Sequence, residues 1–168
     1  REGEVAIAKR IEQGKLAVIK SISRTPRITQ EVIEMGEQLR RGERTVRELV
    51  VFNEEEITDE KIAARQRELL KQVDKVKLAQ DILKKLEEKY SDVLKSDKRK
   101  FRRAKWRTGR ARVELSRAIR KIEFTEMVKR RLIDGIKSSV EDIQWKQKDI
   151  RLIDQRLFVD VIVGRDFV

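Results

Sequence analysis

The sequence predicts an all-α protein, an elongated antiparallel helical bundle built on one long central helix. Three observations lead there. Residues 58–95 contain neither Gly nor Pro, and their apolar side chains recur at Ile62, Leu69, Val73, Val76, Leu83, Tyr90 and Leu94. Those gaps are sevens, or a four and a three, the seam of a helix that packs lengthwise on other helices. The chain of 168 residues holds 1 Pro and 7 Gly, too few turn formers for a sheet-rich fold. Finally, 43% of the residues are charged, against an ordinary share of about a quarter. That excess suits long helices with solvated outer faces.

The elements follow in order. Val5, Ile7, Ala8, Ile11, Leu16, Ile19 and Ile22 keep a helical period over residues 1–24, and Pro26 ends that helix by pushing Thr25 out of the helical region. Ile28, Val32, Ile33, Met35 and Leu39 predict a second helix, with Gly42 as its C-terminal cap. Val46, Leu49, Val50, Val51 and Phe52 form a short apolar run without an evident partner strand, and read as a helical turn or buried loop under the long helix. Asn53, Glu54, Glu55 and Glu56 then make an acidic linker.

The long helix of residues 58–95 has Thr58 as its N-cap and Asp59 and Glu60 in the positive first turn. It would span roughly 57 Å at 1.5 Å per residue. Gln66 and Gln80 interrupt its seam, so it is a core-facing helix with a wide stripe rather than a strict coiled coil. Asp97 caps the next helix, residues 97–121, whose apolar side carries Phe101, Ala104, Ala111, Leu115, Ile119 and Ile122. Thr125 caps a last helix of residues 125–157, with a seam of Val128, Leu132, Ile136, Val140, Ile143, Ile150, Ile153 and Leu157. Tight links make these three long helices an up-down-up set of antiparallel neighbours. The tail, residues 158–168, turns β-branched and is unassigned.

Charge is the sharpest feature. Residues 95–131 hold 16 Lys and Arg against 4 Asp and Glu, a surplus that equals the whole net charge of +12. Lys98, Arg99, Lys100, Arg102, Arg103, Lys105, Arg107, Arg110 and Arg112 occupy every face of the helix, with Phe101 and Trp106 among them. Such density repels itself and favours a partner. Three readings stand: contact with a nucleic-acid backbone, docking on an acidic protein surface, or a solvated basic helix. Nothing signals base readout, since no Asn, Gln or zinc finger accompanies the cluster.

Other chemistry finds little support. The chain has no His, the commonest general base, and no Cys for disulfides or thiolate ligands, which fits a reducing cytoplasm. Asp81, Glu87, Glu88 and Asp92 read as salt-bridge partners, and the three glutamates at 54–56 fit no EF-hand. Isolated glycines make no phosphate loop. Trp106 and Trp145 read as packing anchors. No apolar run approaches a membrane span, and no enzyme, cofactor, metal, membrane partner or small-molecule substrate is expected. The chain starts at Arg1, with Met only at 35 and 127, and reads as a piece of a longer protein.

One stretch carries a resemblance. Arg1, Glu2, Gly3 and Glu4, then Ile7, Ala8, Lys9, Arg10, Ile11 and Glu12, then Gly14, resemble the end of region 1.2 of the primary, or housekeeping, sigma factors of bacterial RNA polymerase. The order that follows is similar to the same family: a second helix ending in Leu-x-x-Gly, a short apolar run, an acidic linker, and a large all-helical insert before region 2.1. Val113, Glu114, Leu115 and Ser116, with Arg151, Leu152 and Ile153, resemble parts of that insert. The resemblance implies three segments: residues 1–25, the end of region 1.2; residues 26–157, the helical insert; and the unassigned tail. It implies a role in transcription initiation, with core RNA polymerase as partner through its largest subunit, and promoter DNA as partner within the holoenzyme. Glu2, Gly3, Lys9, Arg10 and Glu12 carry over as the matching motif. Several members carry an acidic stretch in the insert, so the basic stretch here is a departure. A free-standing basic helical protein that binds nucleic acid without sequence preference is the competing reading.

Overall fold

A computed structural model describes residues 2–52, 58–93 and 96–163, with side chains as far as residue 156. Among the described residues there are six helices: α1 (Glu2–Ile22), α2 (Pro26–Arg40), α3 (Val46–Leu49), α4 (Asp59–Lys89), α5 (Lys98–Arg120) and α6 (Glu126–Val163). The all-α expectation holds, and α2, α3 and α5 pack against the long α4. The chain divides into two compact units, Arg1–Leu132 and Ile133–Val168.

In the first unit the core comes from one face of each helix. Leu69, Val73 and Val76 of α4 are buried against Ile28, Val32, Met35 and Leu39 of α2 and Ala104, Leu115 and Ile119 of α5. The α2–α4 contact is close: a Cβ built on the buried Gly36 would lie 2.5 Å from Val73 Cγ1. Arg40 reinforces it with ion pairs to Glu37 on its own helix and to Asp74 on α4. Gly42 follows the end of α2 at φ +74, which glycine adopts without steric cost. Its N–H donates to Leu39 O at 3.2 Å and Glu43 N–H to Gln38 O at 3.0 Å, a Schellman closure at the position expected.

Pro26 does more than end α1. Fixed φ and a missing N–H suit it to the first turn, and it begins α2 with Thr25 as the extended N-cap. The long helix is shorter than expected. Thr58 precedes it as N-cap, but it stops at Lys89, where Ser91 Oγ donates to Glu88 O at 2.8 Å and takes up a carbonyl at the helix end. Its 31 residues span about 46 Å. Tyr90 is its C-cap rather than a seam position; Leu94 and Lys95, like the linker of residues 53–56, lie outside the described residues.

The apolar run after α2 does form one helical turn against α4, but it also has a partner. Val50 makes an isolated antiparallel bridge to Phe124. Val51 N–H donates to Glu123 O at 3.0 Å and Thr125 N–H to Leu49 O at 3.0 Å. Thr125 Oγ1 donates to Glu48 O at 2.8 Å and accepts from Val128 N–H at 3.4 Å, so it caps α6 as expected and fastens it to α3. Asp97 caps α5 through Lys100 N–H at 3.1 Å.

Two expectations are corrected. α6 is not a third rod with a buried seam: Val128 and Leu132 are buried, while Val140, Ile143, Ile150 and Ile153 are exposed. And the helix does not fade at residue 157 but continues through Val163. β-branched residues lower helix propensity by only a few tenths of a kcal/mol, too little to stop a helix already propagating.

Candidate nucleic-acid interface

The first half of α5 builds the site. Phe101 and Ala111 are half-buried and Ala104 buried, so one side of this cationic helical stretch is turned to α4 while the rest faces solvent. Two arginines hold it there. Arg112 Nη2 donates to Glu87 Oε1 at 2.8 Å, and Arg107 Nη1 to the Tyr90 hydroxyl at 3.0 Å. Tyr90 therefore positions the cluster, a role its place in the apolar repeat concealed.

All nine cations of the cluster are exposed. Lys100 pairs with Asp97 at 3.1 Å and Arg112 with Glu87. Among the described residues, Lys98, Arg99, Arg102, Arg103, Lys105, Arg107 and Arg110 have no carboxylate partner. Asp97 itself titrates below the usual carboxylate range, chiefly because Lys100 N–H donates to it and then because the Lys100 ammonium lies beside it. It stays ionised as the helix cap and does not neutralise the face beyond it.

Trp106 is 68% exposed, with the Arg110 guanidinium 5.3 Å above its ring. It is not the packing anchor expected. Lys98, Arg99, Arg102, Arg103 and Trp106 line a shallow depression of about 560 Å³. An exposed indole beside unpaired guanidinium groups offers a flat apolar surface within a positive field, suited to an anionic polymer that also carries rings. Trp145 is exposed as well, with the Lys148 ammonium 5.5 Å over its ring.

The motif residues of α1 lie elsewhere. Glu2, Gly3, Lys9, Arg10 and Glu12 are all exposed, and α1 buries no residue. Its C-terminal end is tied to α5 by a buried pair, Ser23 Oγ and Ser116 Oγ, 2.7 Å apart. Ser23 donates to Lys20 O, so Ser116 is the donor to Ser23.

No group of three acidic residues is placed to hold a metal among the described residues, and no described helix is long and apolar enough to cross a membrane. No protein-family model, curated protein or solved structure matches the chain.

Proposed function

We propose that this chain is a segment of a primary sigma factor, acting in the bacterial cytoplasm in transcription initiation as part of the RNA polymerase holoenzyme, and that its α5 face meets the phosphate backbone of promoter DNA. The reading assigns no catalytic step and no cofactor to the chain. The sigma assignment is supported by the residues at 1–14 that resemble the end of region 1.2, with Glu2, Gly3, Lys9, Arg10 and Glu12 presented on an open helix surface. The DNA-facing role is carried by one observation: seven exposed cations of α5 without carboxylate partners among the described residues, grouped around the exposed Trp106. Lys and Arg at this density release counterions from a phosphate backbone without reading sequence. Specificity for a promoter would then come from other parts of the holoenzyme.

The test is equilibrium binding of the purified chain to core RNA polymerase and to a random-sequence duplex across a salt series. Binding to core polymerase that resists salt supports the sigma reading. If on the order of six cations engage phosphates, the DNA affinity falls with a log–log slope near −5. Steeply salt-dependent DNA binding without any affinity for polymerase overturns the sigma assignment and leaves a free-standing nucleic-acid binder.

A further inference from the structure

We infer that the second unit presents a docking seam for a separate amphipathic helix with acidic flanks. Ile133, Ile136, Val140, Ile143, Gln147 and Ile150 of α6 fall at an unbroken alternation of three and four residues. That spacing puts them on one stripe, in the manner of the a and d positions of a heptad. Val140, Ile143 and Ile150 are 45%, 54% and 57% exposed, although each β-branched side chain is of the kind that fills such seams. Gln147 is the single polar member within the stripe, and Asp154 closes it. A lone polar residue at such a position sets register and discriminates among partners.

The charges beside the stripe decide what fits it. The flanking positions carry Lys137, Lys146 and Arg151, and no carboxylate. The acidic residues Asp134, Glu141, Asp142 and Asp149 occupy the outer positions. Lys137 makes only a 3.7 Å exposed pair with Asp134, and Lys146 and Arg151 have no carboxylate partner among the described residues. A parallel second copy would set Lys146 against Arg151, and an antiparallel one would again match cationic flank with cationic flank. Like charges at these positions disfavour pairing. The net charge of +12 adds to that repulsion. The occupant that satisfies both stripe and flanks is therefore a different helix, apolar along one side and rich in Glu or Asp beside it. This inference does not depend on the sigma assignment or on the α5 face.

Two synthetic three-heptad peptides test it, identical at the apolar positions, one with Glu at the flanks and one with Lys. Their binding to the full 168-residue chain is measured by fluorescence anisotropy, and the self-association of the chain by sedimentation. The Glu peptide is expected to bind at least about tenfold more tightly than the Lys peptide at low salt, since each flank position changes from attraction to repulsion. Ile143→Asp with Ile150→Asp should abolish binding, Lys146→Glu with Arg151→Glu should reverse the peptide preference, and Trp145→Ala, outside the stripe, should leave binding unchanged. All these positions are exposed, so helicity by circular dichroism should be preserved. Equal binding of both peptides, binding of neither, or Glu-peptide binding that survives the Ile143 and Ile150 changes would overturn the inference. So would self-association of the chain that disappears with Ile143→Asp, which would assign the stripe to a second copy.

Discussion

Replacing Gly36 by Ala introduces one methyl group where α2 and α4 approach most closely. The new Cβ would lie 2.5 Å from Val73 Cγ1 and 3.2 Å from Val73 Cβ and Cγ2, whereas carbon atoms in contact rest about 3.5–4.0 Å apart. Both residues are buried, and Val73 is only 3% exposed, so one helix must shift by about 1 Å or the valine must leave its rotamer. Overpacking of this kind destabilises by about 1–3 kcal/mol. Exchanging Gly for Ala in a helix returns about 1 kcal/mol. The expected net loss is therefore about 0–2 kcal/mol, seen as a drop in Tm of up to roughly 8 °C in a chain of this length. The decisive assay is a double-mutant cycle by urea unfolding followed by circular dichroism. Val73→Ala alone should cost about 2–3 kcal/mol through lost burial and the cavity left behind. In that background both Val73 methyl groups are gone and only the Cβ contact at 3.2 Å remains, so Gly36→Ala should cost clearly less than in the natural chain. A stabilising Gly36→Ala in the natural chain would refute the reasoning. So would additivity of the two changes within about 0.5 kcal/mol, which holds only for residues that do not touch.

Other consequences can be checked more briefly. Ser116→Ala removes the donor to the buried Ser23 and should lower stability by about 1 kcal/mol, while the Ser23→Ala, Ser116→Ala pair should cost little more than either change alone. Asp97 is held below its ordinary value, so the stability it contributes is present above the unfolded carboxylate pKa and is lost as pH falls through the lower folded value. Asp97→Asn should flatten that acid limb of a Tm-versus-pH profile, and an unchanged profile would remove the cap from the explanation. Exchanging Arg102, Arg103 and Lys105 together for Gln should reduce the salt slope of duplex binding by about 2.7 if all three meet phosphates, with helicity unchanged.

The core of the first unit was legible because burial follows periodicity. Leu69, Val73 and Val76 fall on the repeat that marks the α4 seam, and each is buried. Caps were legible for a similar reason: Asp97, Thr125 and Gly42 act through neighbours three to five residues away, within reach of local sequence rules. What a periodic stripe does not disclose is whether anything covers it. Ile7 and Ile11 of α1, four apart, and Val140, Ile143 and Ile150 of α6, three and seven apart, repeat intervals of the α4 seam and are exposed. Contacts between distant segments were also hidden. Nothing in the run at 46–52 names Phe124 as the partner of Val50, and nothing around Ser23 or Ser116 announces their hydrogen bond. At the candidate interface the cations were evident from composition, but the exposure of Trp106 and the anchoring of Arg107 by Tyr90 required the arrangement of two helices.

The bridge between Val50 and Phe124 closes a long ring of chain. Thr125 Oγ1 reaches Glu48 O across 77 positions, and α4 and α5 lie between. These two helices are joined by a short link and pack on each other, so they can pair quickly through contacts near in sequence. The clasp must wait until that pair has brought its ends together, since loop closure is costly until the intervening chain is compact. Interactions formed after the rate-limiting step govern how fast a protein comes apart, not how fast it assembles. Thr125→Val, which keeps the side-chain shape and drops the hydroxyl, should accordingly steepen the escape from the native state in stopped-flow unfolding while the refolding arm stays in place. The clasp would thus act as a latch on lifetime: the α4–α5 pair decides when the first unit forms, and the Glu48–Thr125 contact decides how long it lasts.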